Sequence, residues 1–250
     1  MHTSYSLAIV SGILMMLFGL FFSYQCLDAI GTPHDILNDA TLYMQLYFLC
    51  MIPGAIYNIG AGILRAVGDS KRPLYYLIVC SIVNVVFDFI FVVIFHQGIA
   101  GAAIATVIAQ FVCAILVTIQ LMRTNEVYKL TLSKMKFHLP VLKKIIMIGA
   151  PAGIQSTMYS ISNIVLQSHI NAFGTQTIAS WSVYVKIDAL FWMMIAAIGA
   201  AITTFSGQNF GAHLHDRIKK GTRTALAMAF IMTISISTIP VSYTHLTLPT

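Results

Sequence analysis

Seven apolar stretches of roughly twenty residues recur along this sequence, and that recurrence limits the possible folds more than any other feature. They run Tyr5–Tyr24, Ala40–Leu64, Leu74–Phe95, Ile99–Met122, Ile145–Phe173, Ile178–Phe205 and Ala225–Pro240. A helix of ~20 residues rises about 30 Å, the thickness of a bilayer's hydrocarbon core. Backbone amides in lipid find no water to bond, so only helices or closed barrels cross it. Barrel strands would show short alternating segments, which this sequence lacks. The expected class is all-α, a polytopic transmembrane helical bundle. Composition agrees: 58% of residues are hydrophobic and 9% charged, where a soluble domain carries about a quarter charged.

Charge placement orients the helices. Every Lys and Arg except Lys186 falls in one of three connections. Arg65, Lys71 and Arg72 follow the second stretch. Arg123, Lys129, Lys134, Lys136, Lys143 and Lys144 follow the fourth, and Arg217, Lys219, Lys220 and Arg223 follow the sixth. The alternate connections carry none, and the first of them holds Asp28, Asp35 and Asp39. By the positive-inside rule the basic connections are cytoplasmic, so the first stretch runs outward. The net charge of +6 has the same origin. No nucleic-acid-binding module accompanies these charges, and no nucleic-acid partner is expected. Of the cysteines, Cys50, Cys80 and Cys113 lie within spans and Cys26 does not; without a CxxC pair they read as small hydrophobes.

The chain divides at its longest charged connection. The expected organisation is a partial bundle over 1–122, a cytoplasmic connection over 123–144 and a second partial bundle over 145–240. Leu139–Ile148 mixes Lys143 and Lys144 with apolar residues and reads as an interfacial amphipathic turn. Met1 leads directly into a full-length span with no charged leader or cleavage site. A faint repeat relates HTSYSLAIVSGILMMLFGLFFSY to GTRTALAMAFIMTISISTIPVSY, and the second copy alone is preceded by a basic connection. Met1 is therefore expected to be internal to a longer protein. The closing VSYTHLTLPT, 241–250, resembles the translation of a sequencing-library adapter and reads as a non-native tail.

Ionisable residues inside a span cost about 3 kcal/mol each and usually face a cavity or a partner. Three stand here: Asp88, Lys186 and Asp188. Asn84 precedes Asp88 by four residues, which sets both on one helix face. Counting inward from the short His96–Gly98 turn puts Thr106 at about the depth of Asp88, ~10 Å from the outer end. Carboxylate, amide and hydroxyl oxygens at one depth suit a small hard cation. A desolvated Asp88 is equally a proton carrier, and a hydrogen-bonded structural cluster is the third reading. Lys186 and Asp188 are two apart and so look to different neighbours, as ion pairs across helices or as substrate contacts. Gln155, Tyr159, Asn163 and Gln167 form a polar ladder at i+4 steps, which faces protein or water rather than lipid. Pro151 and Pro53–Gly54 invite kinks beside a cavity. His213 and His215 sit in a basic connection and read as solvated. With no HExxH, nucleophile elbow or phosphate-binding glycine loop, no enzyme, metal site or cofactor is expected.

GILRAVGDSKRPLYY, NVVFDFIF, GIAGAAIATVIAQ, IGAPAGIQSTMYS and FSGQNFGAHLHDRIKKG, in this order, resemble the multidrug and toxic compound extrusion (MATE) family of antiporters. The resemblance covers Met1 to about Pro240. It implies a twelve-helix protein of two six-helix lobes, of which this chain would supply helices three to nine. It further implies a monomeric, multi-pass exporter of the bacterial cytoplasmic membrane, exchanging organic, often cationic drugs for Na+ or H+ by alternating access. Asn84, Asp88 and Thr106 match the family's N-lobe cation site, which an Asp on helix one completes. Gln155, Tyr159, Asn163, Lys186 and Asp188 would line the C-lobe cavity. A helix-seven Glu used by one branch has no counterpart, since no acidic residue stands between Glu126 and Asp188. A lipid-linked oligosaccharide flippase of related architecture is one alternative, although its cavity would need more intramembrane cations than Lys186. A truncated, non-transporting chain is the other.

Overall fold

All the apolar stretches fold as helix in a computed structural model that describes residues 1–29, 32, 34–171, 173 and 175–247. In chain order they are α1 His2–Ala29, α2 His34–Phe48, α3 Met51–Ala66 and α4 Lys71–Asp88, which continues as a π-helical segment Phe89–Ile94. Then follow α5 Gly98–Arg123, α6 Leu139–Asn171, α7 Thr175–Gly211 and α8 His215–Thr247. Among the described residues, five spans are long and apolar enough to cross a membrane: His2–Ala29, His34–Ala66, Lys71–Ile94, Gly98–Arg123 and Ser180–Gly211. Of the other two expected crossings, α6 is 33 residues long, but its polar ladder dilutes its apolar character. The end of the Ala225–Pro240 stretch, like the 241–250 tail, lies outside the residues whose side chains are described.

The helices run past the expected boundaries. Arg217, Lys219, Lys220 and Arg223 lie on the first turns of α8 rather than in a loop, and Lys143 and Lys144 on the first turns of α6. Asp28, Asp35 and Asp39 are likewise helical. Helices of 28 to 37 residues exceed the ~20 that hydrocarbon requires, so the charged ends of α1, α6 and α8 project into the interface.

The chain separates into two units, Met1–Met147 and Ile148–Thr250. In the first, α5 packs against α2, α3 and α4, while α1 lies on α2 and α3. Small residues permit this closeness, as they do generally between helices in lipid. Gly101, Ala105, Ala109, Cys113, Val117 and Leu121 recur every four residues, and all are buried. On α1, a Cβ at Gly12 would stand 2.8 Å from the Ile52 Cα, and one at Gly19 would overlap the Phe48 ring. Larger residues look outward: Leu14, Phe18 and Phe21 on α1, Ile78, Ile82 and Val85 on α4. Tyr57 donates its hydroxyl to the Pro73 carbonyl at 3.1 Å, and the Cys80 thiol donates to the Ala109 carbonyl at 3.0 Å. Cys50, Cys80 and Cys113 are buried and Cys26 is exposed.

The break in the second span comes at Leu49–Cys50, between α2 and α3, not at Pro53–Gly54. Pro53 causes it from downstream, since its ring excludes the carbonyl four residues back, that of Leu49. Between α3 and α4, Gly68 adopts φ 92°, the Gly68 amide donates to Arg65 and the Asp69 amide to Leu64. That is a Schellman end, and glycine supplies its left-handed residue. Asp69 then accepts from the Arg72 amide at 3.1 Å and pairs with its guanidinium at 3.3 Å. The basic connection after α5 folds back on α1. Leu130 is buried, the Thr131 amide donates to His2 Nε2, and Thr3 Oγ1 donates to the Lys136 carbonyl.

In the second unit α7 and α8 pack together. α6 meets α7 through Tyr159 and Trp192, edge to face at 6.0 Å, and through the Trp181 indole donating to Gln167 Oε1 at 3.1 Å. His213 closes α7 with φ 56°, the Leu214 amide donating to Asn209. His215 opens α8.

Candidate functional site

The strongest polar constellation lies where α4 meets α5. Asn84 Nδ2 donates to Thr106 Oγ1 at 3.4 Å, and the Thr106 hydroxyl donates to the Ala102 carbonyl one turn back at 3.0 Å. Asn84 therefore commits its nitrogen to Thr106 and keeps its carbonyl oxygen out of that bond. One turn along the same face of α4 stands Asp88. Its Oδ1 is buried and has no hydrogen-bond partner. A buried carboxylate oxygen without a donor is costly, and groups left so in a native protein call for an explanation.

The depth estimate from sequence is off by one turn. Thr106 sits level with Asn84 and makes no hydrogen bond to Asp88. The π-helical segment that begins directly after Asp88 contributes to this offset. A π-helix bonds i to i+5, as Phe95 does to Ile90, and winds more residues into each turn than an α-helix. It rises less per residue, so Asp88 lies nearer the outer turn than a 1.5 Å rise implies. Gly101 makes room for this segment: a Cβ there would stand 2.9 Å from the Phe91 Cβ. Phe87, Phe91 and Phe95 stack in series along it, with centroids 5.6 and 6.0 Å apart. π-turns inside helices cluster at functional sites. The regular FxxxFxxxF opposite a glycine was the available signal, and α-helical counting concealed it.

A cleft of about 490 Å³ in the first unit is a second feature that the sequence did not disclose. Ser11, Asn58 and Gln110 place polar groups in it beside Tyr47, with Met15 and Leu77 among the apolar walls. Each polar residue comes from a different helix and stands alone in its own apolar run, so no one-dimensional pattern marks it. Its size and sparse polar lining suit a small organic ligand.

In the second unit, Gln155, Tyr159 and Asn163 are exposed along α6, and the ladder engages α7 through Tyr159 and Gln167. Lys186 is exposed and Asp188 half-buried, and neither forms an ion pair with a described residue. Of the two readings of these residues, ion pairs across helices are not formed among the described residues.

A helical bundle with glycine-seated crossings and a lone carboxylate between two spans belongs to the class of polytopic membrane proteins. The sequence profile of the MatE family matches residues 1–90 and 151–248, and the chain belongs to that family. It is 25% identical over 237 residues to "Probable multidrug resistance protein YoeA" of Bacillus subtilis (strain 168), covering 92% of this chain and 51% of that protein. It is 23% identical over 228 residues to "Multidrug export protein MepA" of Staphylococcus aureus (strain NCTC 8325 / PS 47), covering 91% and 49%. Among solved structures, it superposes with a TM-score of 0.85 on an outward-facing conformation of a multidrug resistance MATE family transporter of the MOP superfamily. That match is 24% identical and covers 97% of this chain and 53% of the other. A crystal structure of MATE in the bent conformation gives 0.84 at 24% identity, over 93% and 52%. These neighbours share the fold. The chain spans about half the length of the curated relatives it matches.

Proposed function

We propose that this chain is part of a cation-coupled exporter, which moves organic, often cationic drugs out across the cytoplasmic membrane by alternating access. The observation that carries the reading is the buried, unpartnered Oδ1 of Asp88 one turn from the Asn84–Thr106 pair. A carboxylate so placed needs a positive charge or a proton. Na+ would be held by oxygens of Asp88, Asn84 and Thr106, the hard donors such a cation takes. A proton would reside on the Asp88 carboxyl. Either occupant changes the charge between α4 and α5, and a state that binds it more tightly is populated at the expense of the other. The organic ligand would use the cleft at Ser11, Asn58 and Gln110. In the second unit it would use Gln155, Tyr159, Asn163, Lys186 and Asp188. Membership of the MatE family and relatives named as multidrug export proteins support this reading.

The test is drug efflux in vesicles from cells expressing the native gene, driven in turn by a Na+ gradient and a pH gradient. Asp88→Asn keeps the side chain's size and removes its charge. Efflux under the effective gradient is expected to fall to background, with the same amount of protein in the membrane. Undiminished efflux would return Asp88 to a structural role.

A further inference from the structure

Between α7 and α8 lies a groove of about 460 Å³ with one basic end and apolar walls. Arg217 and Lys220, on the first turns of α8, line its basic end. Both are exposed, and neither is ion-paired with a described residue; Asp216, their acidic neighbour in sequence, does not line the groove. Gly221 comes next, and a Cβ there would overlap the Phe205 ring, so glycine seats that ring directly on α8. Beyond it the walls are apolar, with Ile202 and Met228 among them. From Arg217 to Met228 the helix rises ~16 Å, about half of a ~30 Å hydrocarbon core.

We propose that this groove seats one anionic phospholipid of the cytoplasmic leaflet, its phosphate between Arg217 and Lys220 and an acyl chain along Ile202 and Met228. Charge complementarity selects this occupant. The two cations lie on the side that the positive-inside rule makes cytoplasmic, where the leaflet is anionic and basic pockets between helices take lipid headgroups. A zwitterionic headgroup would bring its own ammonium against them. The volume suits one ligand rather than a protein surface. This inference goes beyond the export reading and stands whether or not that reading holds, because its readout is lipid retention.

The protein from its native gene is purified in detergent and examined by native mass spectrometry with phosphatidylglycerol or phosphatidylcholine added. One phosphatidylglycerol is expected to be retained in preference to phosphatidylcholine. Arg217→Gln with Lys220→Gln should weaken its retention about 30-fold, the effect of two basic contacts at a membrane surface. Ala225→Phe, which fills the apolar part and leaves the cations in place, should weaken it as well. Lys143→Gln with Lys144→Gln should leave it unchanged. Equal retention of phosphatidylcholine would overturn the proposal, as would phosphatidylglycerol retention that is undiminished in either groove variant. An equal loss in the Lys143 and Lys144 variant would reduce the effect to diffuse charge and overturn it too.

Discussion

Asp88 owes its position to three separate residues. Asn84 fixes the helix face, Gly101 admits the π-helical segment, and Thr106 ties α4 to α5. If the site holds a cation, Thr106→Val removes one neutral oxygen and the partner of Asn84. A single neutral contact is worth ~1 kcal/mol, so cation affinity should fall roughly tenfold or less, well short of the loss in Asp88→Asn. The cation concentration giving half-maximal efflux measures this, and an effect equal to that of Asp88→Asn would reject the division of roles. Asn84, Asp88 and Thr106 were legible in sequence, because i+4 spacing and a three-residue turn leave α4 and α5 little freedom. The one-turn offset was not legible. It depends on how many residues a turn holds, and a run of apolar side chains does not report that.

Elements in this protein are positioned by what their glycines lack. Gly12→Leu would drive a side chain into the α3 backbone, and overpacking of this kind costs about 1–3 kcal/mol. The thermal midpoint in detergent should fall for Gly12→Leu but not for Gly54→Ala, since a Cβ at Gly54 meets nothing within 4 Å. A fall at Gly54 as well would reject this account, because alanine is the better helix former and no close approach explains a loss there. Deleting one residue from Phe89–Ile94 should restore α-helical winding and undo the packing of Phe91 against Gly101. The protein should still insert, and ion-driven efflux should be lost; retained efflux would separate the π-helical segment from coupling. Helix existence and the outward set of large apolar residues followed from periodicity and length. The α2–α3 break at Leu49–Cys50 did not, because a proline disrupts the turn before it and sequence shows only the proline.

At the scale of the molecule, burial is uneven. The first unit has a core running through Tyr57, Leu64, Cys113 and Val117, whereas residues 148–169 of α6 are exposed throughout. Hydrogen exchange in detergent should therefore be slowest in α5 and faster along residues 148–169, since protection follows buried contacts. Equal protection would show that α6 is covered by something outside this chain. Charge placement across the connections was read directly. The cleft at Ser11, Asn58 and Gln110 was not, because it exists only once three helices have met.

The turn between α4 and α5 carries a consequence for how the protein is made. It is closed by His96 and Gly98, both with left-handed φ, at 53° and 55°. With so little chain between them and no charged residue in the turn, the two helices should leave the insertion machinery together, as one hairpin. Gly98→Val would burden that step with a β-branched residue in a conformation it resists. The fault would surface in biogenesis, as polypeptide degraded before it accumulates in the membrane, and pulse-chase labelling would detect it where a transport assay would find too little protein to measure.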